Sequence, residues 1–139
     1  MIVNLTQHTR SSEQLRAGVI DLTPELAEQA AAFLTFDALP DVAEIERRAA
    51  ALAGVAVEQA RLVYAPDPVG FDVSMHDVSA MIGGAPYLMP ALERALILEG
   101  ITPVYAFSVR QSMEEAQADG SVRKVNIFRH IGFVTGGTV

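Results

Sequence analysis

The sequence predicts an α/β domain of three layers, with a mainly parallel sheet and an appended C-terminal β-hairpin. Three observations carry this. Strand-like and helix-like segments alternate along the chain, the order that builds parallel sheets from crossover units. Residues 78–110 hold one complete crossover: a buried apolar run, a Gly83–Gly84 turn, a helix opened near Pro86 and stopped at Gly100, and a second apolar run. Residues 110–134 alternate on both sides of Asp119 and Gly120, a strong hairpin turn signal. This order is Rossmann-like. The 139 residues suit a single domain over 1–139.

Each element has a local reason. Residues 1–5 form a short apolar strand that ends in the polar string Asn4, Thr6, Gln7, His8 and Thr9. Ser11 with Gln14 is a capping box for a short helix that Gly18 stops. Residues 19–22 make a second strand. Thr23 caps and Pro24 starts the next helix, which reaches about Thr35. Residues 36–40 turn. Asp41 with Glu44 caps a further helix, in which Val42, Ile45, Ala49 and Leu52 recur at helical spacing. Residues 61–65 read equally as a strand or a helix tail, and Asp67, Pro68 and Gly70 mark a turn. In the crossover helix Leu88, Leu92, Ala95 and Leu96 form one face, flanked by Met89 and Leu98.

Composition narrows the function classes. Hydrophobic residues make up 50% of the chain, enough for a buried core, and there is no cysteine. Thiolate metal sites and disulfides are thereby excluded, which fits a cytoplasmic protein. No apolar run is long enough to span a bilayer, and the first residues lack the pattern of a signal peptide. The net charge of −7 divides unevenly: residues 1–99 carry 6 Lys+Arg against 14 Asp+Glu, or −8, and residues 100–139 carry 4 against 3, or +1. Long nucleic acid is an unsuitable partner for such a chain, because neutralised phosphates supply most of that affinity. A small anion held by a few groups is compatible with it.

Ligands of open α/β sheets sit at the carboxyl ends of the strands, against a helix start. That rule points to Gly83 and Gly84 and to Ser108 and Arg110. The two glycines let backbone N–H groups approach a phosphate, or simply make a tight turn. Thr6 and His8 leave the first strand at the same edge. His8 there is a proton shuttle, a phosphate donor or an exposed turn residue. Ser108 and Arg110 position an anion, or are a polar strand exit. A two-residue loop at Asp119 and Gly120 places Glu115 opposite Lys124 and Arg110 opposite Arg129. Facing arginines need a carboxylate or a bound phosphate between them. The histidines His8, His76 and His130 have no metal-binding spacing, and no serine sits in a nucleophile-elbow motif.

The C-terminal half, with its strand–Gly turn, helix, PVYAFS, Arg110, Glu114–Glu115 pair, DGSVRK turn and FRH-x-G-F ending, resembles the small single-domain CARF-type proteins of type III CRISPR systems. The first strand followed by His8 and the Ser12–Gln14 segment adds to the likeness. The resemblance implies a cytoplasmic homodimer in antiviral defence that binds cyclic oligoadenylate across its two-fold axis. It further implies ring nuclease activity, a metal-independent 2′-OH attack on the phosphodiester. Catalytic roles then fall to His8, Ser108 and Arg110, and ligand contacts to Thr6, Gly83, Gly84, Arg129 and His130, with no metal and no cofactor. Two alternatives stand beside it: a sensor or sponge that binds the nucleotide without cutting it, and a structural α/β subunit.

Overall fold

A computed structural model describes residues 1–64 and 75–137. The element order is β1 (Ile2–Asn4), α1 (Ser12–Arg16), β2 (Val19–Ile20), α2 (Pro24–Leu34), α3 (Val42–Tyr64), a 3-10 turn (Met75–Asp77), β3 (Ser79–Met81), α4 (Met89–Leu98), β4 (Thr102–Ala116) and β5 (Val122–Thr135). The strands form one sheet in the order β2-β1-β3-β4-β5, parallel except for the antiparallel β4–β5 pair. The fold is mixed α/β, with a five-stranded, mostly parallel sheet.

The local signals act as expected at the helix starts. Ser11 accepts the Gln14 N–H, and the Gln14 side chain accepts the Ser11 N–H, which completes the capping box. Gly18 follows α1 with φ +97°, a conformation that favours glycine. Thr23 caps α2, with Pro24 in the first turn. The Asp41 carboxylate accepts the Glu44 N–H at 2.8 Å. Residues 61–64 are the tail of α3. The turn expected at Asp67, Pro68 and Gly70 lies outside the described residues. Pro86 stands in a turn before the helix, and α4 begins only at Met89, with Pro90 in its first turn, where the missing N–H costs nothing.

Two apolar clusters lie on opposite faces of the sheet. Val3, Leu5, Ala80 and Ile101 pack with Leu26, Leu52, Leu88, Leu92 and Leu96 from α2, α3 and α4. Ile2, Val19, Met81, Val104 and Phe133 form the smaller cluster, with α1 beside it.

Tyr105 on β4 ties the sheet to α4, its hydroxyl donating to the Glu93 carboxylate at 2.6 Å. Gly136 closes over this pair, and its N–H donates to the Pro103 carbonyl at 2.8 Å. A Cβ at Gly136 would lie 2.8 Å from Glu93 Oε1 and 2.9 Å from Tyr105 Cε2. Gly136→Ala is therefore expected to destabilise the protein by about 1–2 kcal/mol in urea unfolding, the cost of displacing a packed pair. Burial, and then the hydrogen bond to Glu93, push the Tyr105 phenol above the usual tyrosine range. Its raised folded-state value means a contribution complete below pH ~10, where an unfolded tyrosine begins to ionise, and lost as pH rises beyond that. Unfolding midpoints should fall above pH ~10, and less steeply in Tyr105→Phe.

The hairpin departs from expectation. Gly120 N–H donates to Gln117 O at 3.1 Å, and Gln117 N–H donates to Ser121 O at 2.7 Å. Gly120 has φ +84°, and the Asp119 carboxylate accepts both the Ser121 N–H and hydroxyl. This is a three-residue loop, a type I turn followed by a left-handed glycine. The extra loop residue shifts the ladder by one. Glu114 faces Lys124, Arg110 faces Phe128, and Val109 faces Arg129. A one-residue shift exchanges faces, so Arg110 and Arg129 occupy opposite faces and do not confront each other. Nor do Ser108 and Arg110 end a parallel strand. β4 pairs with β3 only from Thr102 to Val104, then continues with β5 as a two-stranded ribbon. A bulge at Ile131 separates Phe107↔Gly132 from Ser108↔His130.

Candidate functional site

The chain leaves β1 through α1 to reach β2 on one side, then crosses through α2 and α3 to β3 on the other. The two connections diverge between β1 and β3, which makes that gap the topological switch point of the sheet. A crevice of about 310 Å³ opens there, lined by Thr6, His8, Gln14, Gly83, Tyr105 and Ala106. A second cleft of about 540 Å³ shares Thr6 and His8 and extends past Asp21 to Thr35 of α2.

Asn4 shapes the β1 exit. Its side chain is buried, with 3% of the residue exposed, and every polar atom is used. The amide donates to His8 O at 2.7 Å and to the Asp21 carboxylate at 2.8 Å. The carbonyl oxygen accepts the Thr6 N–H at 2.9 Å and the Thr6 hydroxyl at 2.6 Å. Arg10 locks the far end, donating to Val19 O at 2.8 Å. Gln7 reaches across to the Thr35 hydroxyl at 3.0 Å. The sequence shows Asn4 only as one member of a polar string. Its central role depends on Asp21, which the fold supplies.

On the β3 side, Gly83 comes so close to the first loop that an added Cβ would touch Thr6 Cγ2 at 3.6 Å. Gly84 has φ +134°, a conformation other residues rarely adopt. Among the described residues no hydrogen bond engages the N–H of Gly83, Gly84 or Ala85. Three successive N–H groups without a partner thus follow β3, the first of them at the crevice.

The other predicted residues spread outward from this crevice. Ala106 lines it, and Ser108 is the next β4 residue on the same face, ~7 Å further along. His130 stands opposite Ser108 in the ladder. Its ring packs edge-on against Phe133, 4.8 Å between centroids. Both His130 ring nitrogens are shielded and have no partner among the described residues. His130 borders a hollow of about 530 Å³ with Glu13 and Arg16 of α1. Arg110 lies one same-face step beyond Ser108. Arg129 borders the hollow at the edge strand, but its register position is on the opposite ribbon face. The fold therefore gathers Thr6, His8 and Gly83, with Gly84 alongside. It sets Ser108 and His130 next in line, and separates the two arginines.

Among the described residues no group of three or more His, Asp or Glu is placed to hold a metal, and no helix is long and apolar enough to cross a membrane. No curated protein and no solved structure matches the chain. A family model described as the Uncharacterized protein MJ1673 family matches residues 1–134.

Proposed function

The chain belongs to the Uncharacterized protein MJ1673 family, and we propose that it binds cyclic oligoadenylate at the crevice between β1 and β3. The observation that carries this is the convergence there of Thr6, His8 and Gly83, with backbone N–H groups that have no partner at Gly83 and at the next two residues of the loop. A phosphate suits such donors because they need no reorganisation to receive it. Adjoining phosphates of the ring would follow the α1-side face of β4, past Ser108 and His130 to Arg110. On this proposal the domain is a Rossmann-like three-layer cytoplasmic protein of type III CRISPR defence, acting as a homodimer.

The proposal includes cleavage. A ribose 2′-oxygen attacks the adjacent phosphorus in line, the P–O5′ bond breaks, and a 2′,3′-cyclic phosphate forms. The proton leaves the 2′-hydroxyl and ends on the departing 5′-oxygen. The glycine-loop amides would hold the equatorial oxygens, and His8 would move the proton. No hydrogen bond holds the His8 ring among the described residues. That observation favours a second reading, a sensor or sponge without turnover.

Purified protein is mixed in excess with cyclic tetra-adenylate in a chelating buffer. Linear di-adenylate by chromatography is the result expected of the enzyme. A rise in melting temperature with intact ligand selects the sponge. Neither product nor stabilisation would remove the nucleotide from consideration.

A further inference from the structure

The loops that border the crevice reach a further concave space. A hollow of about 580 Å³ is lined by Phe36, Asp37, Leu39, Pro40, Ile45 and Tyr87. Two stretches of chain join it to the β1–β3 exits. Thr35 lines the cleft at β1, and Phe36, the next residue, lines the hollow. Gly83 lines the crevice, and Tyr87 of the same loop lines the hollow. The N–H groups without a partner, at Gly83, Gly84 and Ala85, lie along the chain between those two ends. A loop from Gly83 to Tyr87 spans at most ~14 Å, the scale of one nucleotide from its phosphate to the far edge of its base.

The hollow suits a flat apolar ring. Phe36 and Tyr87 meet edge to face, 5.1 Å between centroids at 73°. Phe36 is held in place by the Arg48 guanidinium, 4.3 Å over its ring. That guanidinium is itself fixed, donating to the Glu44 carboxylate at 2.7 Å and to the Phe33 and Thr35 carbonyls at the end of α2. Tyr87 and Leu39 leave apolar surface in solvent, 52% and 99% exposed. Asp37 is the one charged residue among those described in the lining. Apolar walls with a single placed polar group are the usual make-up of a small-molecule site.

We infer that this hollow seats an adenine base, its ring against Tyr87 and its exocyclic amine donating to Asp37. The inference rests on the nucleotide reading above and adds what backbone amides cannot supply, a choice between bases. Amides hold the phosphate of any nucleotide alike. An ionised carboxylate only accepts hydrogen bonds, so it favours a ring edge that carries an amine over one that carries a carbonyl. An apolar side chain of a protein partner would fill the same walls, but it would set the Asp37 carboxylate against hydrocarbon and leave the loop amides unused.

Adenosine carries the base and sugar without a phosphate, so it tests the hollow separately from the crevice. Amide shifts of the full chain are followed by NMR as adenosine is added to ~10 mM, enough to occupy a millimolar site. Saturable shifts are expected at Asp37, Leu39 and Tyr87. Inosine, with a carbonyl in place of the amine, should bind at least ~5-fold more weakly. Tyr87→Ala should weaken adenosine ~10-fold or more, and Tyr87→Phe, which keeps the ring, should stay within ~3-fold. The amide spectrum itself reports whether each variant is folded, and Leu39→Ala, at an exposed position, reads the same hollow if Tyr87→Ala is not. If adenosine binds here but cyclic tetra-adenylate does not bind the chain, the crevice reading fails and this one stands. No saturable shift at the hollow, an unchanged response in Tyr87→Ala, or inosine bound as well as adenosine would each overturn the inference. So would N-acetyl-leucinamide moving the same amides at lower concentration than adenosine, which would make the hollow a seat for a protein side chain.

Discussion

Asn4→Leu is expected to be the most damaging single substitution at the site, costing about 3 kcal/mol of stability and abolishing ligand binding. Leucine has the same four side-chain heavy atoms, branched at Cγ, but it can make none of the hydrogen bonds, and its two methyl groups are bulkier than the amide they replace in a buried place. It removes four hydrogen bonds at once and leaves the Thr6 N–H without a partner, while the Asp21 carboxylate keeps Arg10 and the Thr6 hydroxyl and His8 carbonyl keep each other. Each hydrogen bond lost in a partly buried place costs ~1 kcal/mol. Urea unfolding reads the stability and thermal shift with cyclic tetra-adenylate reads the binding. Thr6→Val serves as the graded comparison. It removes the hydroxyl that donates to Asn4 and accepts the His8 N–H, but leaves the Asn4–Asp21 bond. A loss of ~1 kcal/mol is expected there. If Asn4→Leu melts like the wild type, the β1 exit is not held as described.

Gly84→Val should come second, at about 2–3 kcal/mol. At φ +134° a β-branched residue is strained whatever space surrounds it, and the nearest neighbours of an added Cβ, Leu34 Cδ2 and Met89 Cε, are at an ordinary 3.9 Å. The penalty is thus one of backbone conformation. The chain can relieve it only by turning the peptide groups of the loop, which redirects the N–H donors that follow β3, Gly83 at the crevice among them. Gly83→Ala is the control for crowding, since its added methyl only touches Thr6 at 3.6 Å. Binding should survive Gly83→Ala with at most ~10-fold loss and fail in Gly84→Val. Equal behaviour of the two variants would mean that loop conformation is irrelevant to the ligand.

The parts legible in the sequence are those decided within a few residues. Ser11 with Gln14, Thr23 with Pro24, and Asp41 with Glu44 each act on backbone one turn away, and each starts its helix where expected. The switch-point loops are legible for the same reason: a polar exit after β1 and paired glycines after β3. The hairpin register is not. Asp119 and Gly120 suit both a two-residue and a three-residue loop, and the choice turns on the Gln117–Ser121 pairing and the Asp119–Ser121 bonds. One residue of loop then decides whether Arg110 meets Arg129 or Phe128. The length of β4 is hidden too, because a strand alternates in the same way whether it ends in a sheet or runs on into solvent. Asn4 is missed because its partner Asp21 lies 17 residues away.

The same ribbon bears on how the molecule comes together. Its rungs, from Ala116↔Val122 inward, join residues close in sequence, so the arm can zip from its turn by a fast, local route. The short strands β1, β2 and β3 must instead be gathered from distant stretches before α3 and α4 can seal them. Opening the arm exposes few groups that were dry, whereas opening the body exposes the buried leucines Leu5, Leu26, Leu52, Leu88, Leu92 and Leu96. One chain therefore holds two units of very different persistence, a slow-opening body and a fraying lever.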